Sequence, residues 1–229
     1  MSQNRSSGVD RIGWILGLAG LVLIFVGFFI VDHGGWLGPD SPVSELAAEI
    51  TDNRTRLVAG GTVGIVGALA LVGFVASLRM RLARDGSKGE RLALIEYAFG
   101  VVMVIGAFVH GSYRMAISAP IEPNLLADAV LPLSILKEHI IALFMLGALG
   151  VAATMSISSL VMRFLPKPFA WLGVVLVAAA LALIPTGLGI GGLALFLWLI
   201  VACLVLIAQD GLVLANDVRR SADTTRLGG

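Results

Sequence analysis

Charged residues are scarce in this sequence. Only 14% of its 229 residues are Asp, Glu, Lys or Arg, whereas 58% are hydrophobic. Soluble domains carry about 25% charged residues, which keep their outer surface compatible with water. A chain with so little charge lacks the residues to cover a soluble fold. The composition therefore excludes a soluble domain and indicates an integral membrane protein.

Cysteine and aromatic residues are also sparse, and the net charge is small. The single cysteine, Cys203, lies inside an apolar run, which excludes an intrachain disulfide and a cysteine-based metal cluster. The net charge of +1 argues against a nucleic-acid partner. An aromatic content of 7% disfavours a large aromatic-lined pocket. We therefore expect the partners to be membrane lipids, with a homo- or hetero-oligomer as a further option.

What the sequence does contain is six apolar runs long enough to cross a bilayer, for which about 20 helical residues are needed. They cover residues 12–31, 57–78, 92–113, 138–162, 169–185 and 193–208. We predict an all-α, polytopic transmembrane helical bundle over residues 12–210, with polar tails at 1–11 and 211–229. Short amphipathic helices are expected in the two longer connections, residues 32–56 and 115–137, and the first of these helices should begin at Pro42 after Ser41 as its N-cap.

The distribution of lysine and arginine predicts the orientation. If the N-terminus is cytoplasmic, the inner segments hold twelve basic residues, five of them in residues 79–91. The outer segments then hold four, namely Arg54, Arg56, Arg114 and Lys137. Because short cytoplasmic loops are enriched in basic residues, this bias predicts that both termini are cytoplasmic.

The third apolar run is the one that carries ionisable residues near both ends. Glu96 lies near its predicted cytoplasmic end, and His110 and Arg114 lie near its outer end. Arg114 follows His110 by one helical turn, so the two side chains share a face. Glu96 either relays protons or holds a cation within the span, or it reaches Arg91 or water at the interface. Its position favours the interfacial interpretation.

All three histidines fall at the predicted outer boundary, together with acidic and basic neighbours. This candidate polar layer contains Asp32, His33, His110, Arg114, Glu138 and His139. Three imidazoles with carboxylates suit a zinc site, and His110 with His139 suits axial ligation of haem. The alternative is that these residues simply lie among headgroups and water, where polarity costs little. No HExxH spacing supports a metal, so the interfacial interpretation is favoured and no cofactor is assigned.

Several stretches resemble a known family. They are SELAAEITDNRTRLV after the first span, SLRMRLAR after the second, and LPKPFAWLGVVLVAAALAL at the start of the fifth. The order resembles uncharacterised six-helix actinobacterial membrane proteins similar to the bacterial domain of unknown function 4386 group. The phrase LP-x-P-x-x-W-L-G is its most specific part. The resemblance implies a helical bundle in a bacterial plasma membrane and no catalytic residues.

Three functions stay open at this point, and whether the chain is an enzyme is undecided. The favoured one is a non-catalytic bundle that binds lipid or a protein partner, because no catalytic spacing occurs and stripes of small residues are frequent. The second is a membrane enzyme or redox protein with an outward-facing histidine and carboxylate site. The third is a small transporter, whose polar pathway would follow the first, third and fourth spans.

Overall fold

The computed structural model describes residues 3–30, 42–84, 86–119, 123–183 and 189–227, and these ranges contain helices and no β-strand. The helices are α1 (Gln3–Phe25), continued by a π-helical segment (Val26–Ile30), α2 (Val43–Asp52), α3 (Arg54–Ala83), α4 (Gly86–Ile117), α5 (Pro123–Met162), α6 (Lys167–Leu183) and α7 (Gly189–Leu227). The all-α prediction is confirmed for this part of the chain.

Five of the helical stretches are long and apolar enough to cross a membrane. They are Asp10–Phe28, Arg54–Ala83, Gly86–Ile117, Ile135–Met162 and Gly192–Leu212. The sixth apolar helix, Lys167–Leu183, has 17 residues and is shorter than the others. It carries most of the predicted span 169–185, whose last two residues lie outside the described ranges. The chain therefore has the helices of a membrane protein.

The two connections for which short helices were predicted differ in their observed structure. Residues 43–52 do form a short helix, but it begins at Val43, with Pro42 as its N-cap residue and Ser41 outside the described ranges. The second connection holds no separate helix among its described residues, because α5 begins at Pro123 and runs through Pro132 without a break. Pro123 occupies the first helical position, where a missing N–H costs nothing. Pro132 therefore lies within a helix, in a segment that was predicted to be a connection between spans.

By its internal contacts the chain divides into two compact units. The first comprises Met1–Leu18, Gly73–Tyr97 and Ala152–Gly229, and the second comprises Ala19–Val72 and Ala98–Val151. Each unit thus takes parts of several helices, and each contains one of the two polar clusters described below.

In the second unit, α4 and α5 pack closely through glycines. A Cβ atom on Gly147 would lie 2.2 Å from the backbone nitrogen of Met103, and one on Gly106 would lie 2.6 Å from the backbone of Phe144. Neither distance leaves room for a side chain, so glycine is what lets the two backbones touch, as in other membrane helix pairs. This contact holds α4, with His110 and Arg114, against α5.

A small apolar cluster lies in the same unit. Ile50 of α2 and Leu57 of α3 pack with Tyr113, Ile117 and Ile140, all of them at most 7% exposed. Ala47 and Ile50 form the face of the amphipathic α2 that packs against these residues. The cluster fixes α2 beside the end of α4 that carries Arg114.

Candidate functional site

Arg114 is the centre of the polar cluster in the second unit. Its side chain is buried, yet each of its three nitrogens donates a hydrogen bond. Nη1 donates to the carbonyl oxygen of Gly27 at 2.6 Å, Nη2 to that of Phe28 at 3.3 Å, and Nε to His110 Nε2 at 3.0 Å. The two carbonyls belong to the π-helical segment that follows α1. A cation there offsets the partial negative charge of a helix C-terminus.

His110 completes this cluster as the acceptor for Arg114. Its ring is 2% exposed and lies 4.2 Å, centroid to centroid, from the ring of Phe28. Because Nε2 accepts a hydrogen bond, the proton of the neutral ring is on Nδ1, which has no hydrogen-bond partner among the described residues. In this tautomer neither nitrogen offers a free lone pair to a metal ion. His110 is thus arranged as a partner for Arg114.

The interfacial interpretation is wrong for these two residues, since His110 and Arg114 are at most 3% exposed. Their four-residue spacing correctly indicated that the side chains would meet. The spacing carries no information on whether the shared face points to water or to another helix. Here that face is covered by the π-helical segment, in which the carbonyl groups of Gly27 and Phe28 accept hydrogen bonds from Arg114.

The other members of the predicted polar layer do not join this cluster in the described part of the chain. Glu138 and His139 are exposed. Glu138 Oε1 lies 3.7 Å from Nζ of its neighbour Lys137. His139 Nδ1 donates to the carbonyl oxygen of Ile135 on its own helix at 2.8 Å. Asp32 and His33 lie outside the described residues. In the described ranges no three His, Cys, Asp or Glu residues are grouped as metal ligands.

Glu96 differs from its predicted environment. Its side chain is fully buried, and neither carboxylate oxygen has a hydrogen-bond partner within the described ranges. Arg91, the predicted partner, is exposed. Five residues along a helix correspond to a rotation of roughly 140° from the starting face, so the two side chains point in different directions. The interfacial interpretation of Glu96 is therefore wrong.

Arg79 of α3 lies beside Tyr97, the residue that follows Glu96 in the chain. Its guanidinium carbon lies 4.8 Å from the centre of the Tyr97 ring, a cation–π contact. The guanidinium of Arg79 thus lies over the ring and makes no hydrogen bond to Glu96.

A second polar cluster, in the first unit, was missed by the sequence reasoning. Asp10 of α1 is completely buried and receives two hydrogen bonds from Arg84, one to each carboxylate oxygen, with Nη2 to Oδ1 at 3.0 Å. Arg81 Nη1 lies 3.4 Å from both Asp10 Oδ2 and Asp210 Oδ1. Trp14 Nε1 donates to Asp210 Oδ2 at 2.9 Å. The cluster joins α1, α3 and α7.

The signal for this cluster was present in the orientation argument. The basic segment 79–91 was interpreted mainly as a determinant of topology, residues 1–11 as a tail, and Asp210 as the end of the sixth span. All three were predicted to lie on the same side of the membrane, so Asp10 and Asp210 were available as partners for the arginines. Sequence separations of 71 to 196 residues hid the pairing.

An open apolar groove of about 450 Å³ lies between α4 and α5 in the second unit. Its lining residues are Val109, Ser112, Tyr113, Ala116 and Ile117 from α4 and Leu133, Leu136 and Ile140 from α5. Tyr113 Oη donates to the carbonyl oxygen of Leu133 at 2.8 Å, which satisfies a polar group that would otherwise face the groove. The surface that remains is almost entirely hydrocarbon.

Comparison of the chain with protein-family models, curated proteins and solved structures found no match. The resemblance to the domain of unknown function 4386 group stays a prediction from the stretches quoted above.

Proposed function

We propose that this chain is a non-catalytic, multi-pass protein of a bacterial plasma membrane that holds the acyl chain of a phospholipid. The observation that carries the proposal is the apolar groove between α4 and α5. Most of its lining residues belong to two candidate membrane spans, Gly86–Ile117 and Ile135–Met162. A groove in a spanning segment meets bilayer hydrocarbon, so a lipid tail is the occupant whose chemistry fits it.

The shape and the polarity of the groove both support this occupant. Its volume of about 450 Å³ falls within the range of small-molecule pockets. The hydroxyl group of Tyr113 donates to the backbone of α5 and therefore does not need a hydrogen-bond partner in the groove. A polar substrate would lose its hydrogen bonds to water on entering such a groove, whereas an acyl chain would lose none.

The proposed topology has six spans and cytoplasmic termini. A helix of 17 residues, the length of α6, reaches about 26 Å, close to the thickness of the hydrocarbon core. The twelve-to-four distribution of basic residues supports cytoplasmic termini. The cluster around Asp10 agrees with this arrangement, because it brings together the start of α1, the end of α3 and Asp210 of α7. The family resemblance supports a bacterial plasma membrane.

A larger side chain placed in the groove tests whether the groove binds a lipid tail. Ala116 lines the groove and is exposed, so the Ala116→Trp side chain is expected to occupy the space of the lipid tail. We expect the phospholipid retained per protein molecule to fall about fivefold, which corresponds to roughly 1 kcal/mol of lost binding free energy. Native mass spectrometry of protein released from mild detergent measures the retained lipid.

Ala98→Trp is the matched control. Ala98 is exposed on the same helix, 18 residues before Ala116, which is five helical turns and therefore the same face. It does not line the groove. We expect Ala98→Trp to retain as much phospholipid as the wild-type protein. Equal lipid retention by the Ala116→Trp and Ala98→Trp proteins would contradict a specific groove site.

A further inference from the structure

The surroundings of Glu96 provide no hydrogen bonds that would stabilise an ionised carboxylate. An ionised carboxylate offers about four acceptor sites, whereas a neutral carboxylic acid carries one donor and fewer demands on its surroundings. Neither oxygen of Glu96 has a hydrogen-bond partner among the described residues, and the side chain is 0% exposed. Isolated buried charges are so costly that such groups are normally neutralised.

Arg79 is the cation next to this site, but it does not provide the missing hydrogen bonds. It makes no hydrogen bond to either carboxylate oxygen of Glu96. Its guanidinium lies over the ring of Tyr97, the residue that follows Glu96 in the chain. Arg79 itself is exposed. The guanidinium of Arg79 thus lies over the ring of the residue next to Glu96 and is not hydrogen-bonded to the carboxylate.

We propose that Glu96 is a proton-binding site of the membrane-embedded protein. With the proton bound, Glu96 is a neutral acid in an apolar environment and Arg79 stays over Tyr97, as described here. When the O–H bond of Glu96 breaks, the proton passes to water at the exposed Arg79 end. The carboxylate that forms is then paired by Arg79, which leaves the ring. The ligand of this site is a proton, and the site is separate from the lipid groove.

Infrared spectroscopy of the protein in lipid bilayers tests this directly, because the carbonyl stretching band of a neutral carboxylic acid is distinct from the carboxylate bands. The wild-type protein is expected to show the neutral-acid band at neutral pH and to lose it in alkaline buffer. Glu96→Gln should lack the band at neutral pH. Glu90→Gln, which changes an exposed acid on the same helix, should retain it.

The Arg79→Leu protein separates a proton site from a merely buried acid. Without this cation the carboxylate form loses its partner, so the neutral-acid band should persist in buffers alkaline enough to remove it from the wild-type protein. Titration curves that are identical with and without Arg79 would overturn the proposed exchange. A wild-type protein without the neutral-acid band at neutral pH would overturn the site itself, and loss of the band on adding sodium chloride but not choline chloride would replace the proton by a sodium ion.

Discussion

Replacing Arg114 by methionine is expected to lower the free energy of unfolding by about 3–5 kcal/mol, because three buried acceptors lose a donor and each unsatisfied group costs about 1–3 kcal/mol. The change leaves the carbonyl groups of Gly27 and Phe28 and the Nε2 atom of His110 without their donor. Methionine fills similar space but donates nothing. Denaturant unfolding in a fixed detergent, followed by tryptophan fluorescence, measures the change.

Two further variants identify the cause of this loss. Arg91→Met removes an exposed arginine from the same helix and is expected to change stability by less than about 0.5 kcal/mol. Arg114→Lys keeps the charge but replaces the planar three-nitrogen donor by a single ammonium group. It should recover only part of the loss. Full recovery with lysine would show that charge, and not the geometry of the three hydrogen bonds, stabilises this end of α1.

Replacing Asp10 by asparagine is expected to lower the free energy of unfolding by about 2 kcal/mol, the range for a hydrogen bond to a charged group. The change keeps the shape of the side chain but removes the charge that faces Arg84 and Arg81. The estimate lies below that for a fully buried pair because the Arg84 side chain is 42% exposed and water partly screens its charge.

Asp52→Asn is the control for this substitution, since Asp52 is exposed at the end of α2. Its stability should match that of the wild-type protein within about 0.5 kcal/mol. The loss in the Asp10→Asn protein should also shrink as salt concentration rises, because the arginines of the cluster are partly open to water. An unchanged unfolding midpoint for Asp10→Asn would mean that the cluster contributes little to stability.

The features that were predictable from the sequence are those that depend on local pattern. Apolar length predicted the helices of a membrane protein, and the spacing of His110 and Arg114 predicted their contact. Burial was not predictable in the same way. A helix that is apolar all round gives no signal for which face meets another helix. Glu96 was therefore assigned to the interface, although it lies inside the protein.

The remaining features depend on contacts between distant parts of the chain. Asp10 and Asp210 meet Arg81 because α1, α3 and α7 come together at this point, which no local spacing encodes. The groove likewise requires the register of α4 against α5, which is held by the close approach of Gly106 and Gly147 to the opposite helix. The continuous α5 was missed because Pro132 is unfavourable inside helices in general, although this helix accommodates it.

A phospholipid with a photoactivatable group at the end of its acyl chain tests the proposed lipid site most directly. After reconstitution, illumination and proteolysis, mass spectrometry identifies the labelled peptides. We predict that the label concentrates in peptides from 109–117 and 133–140, which contain the residues that line the groove. Ala116→Trp should remove the label from these peptides, whereas Ala98→Trp should not. Labelling spread evenly over exposed apolar residues elsewhere, such as Leu69 and Val175, with no enrichment at the groove, would contradict the account.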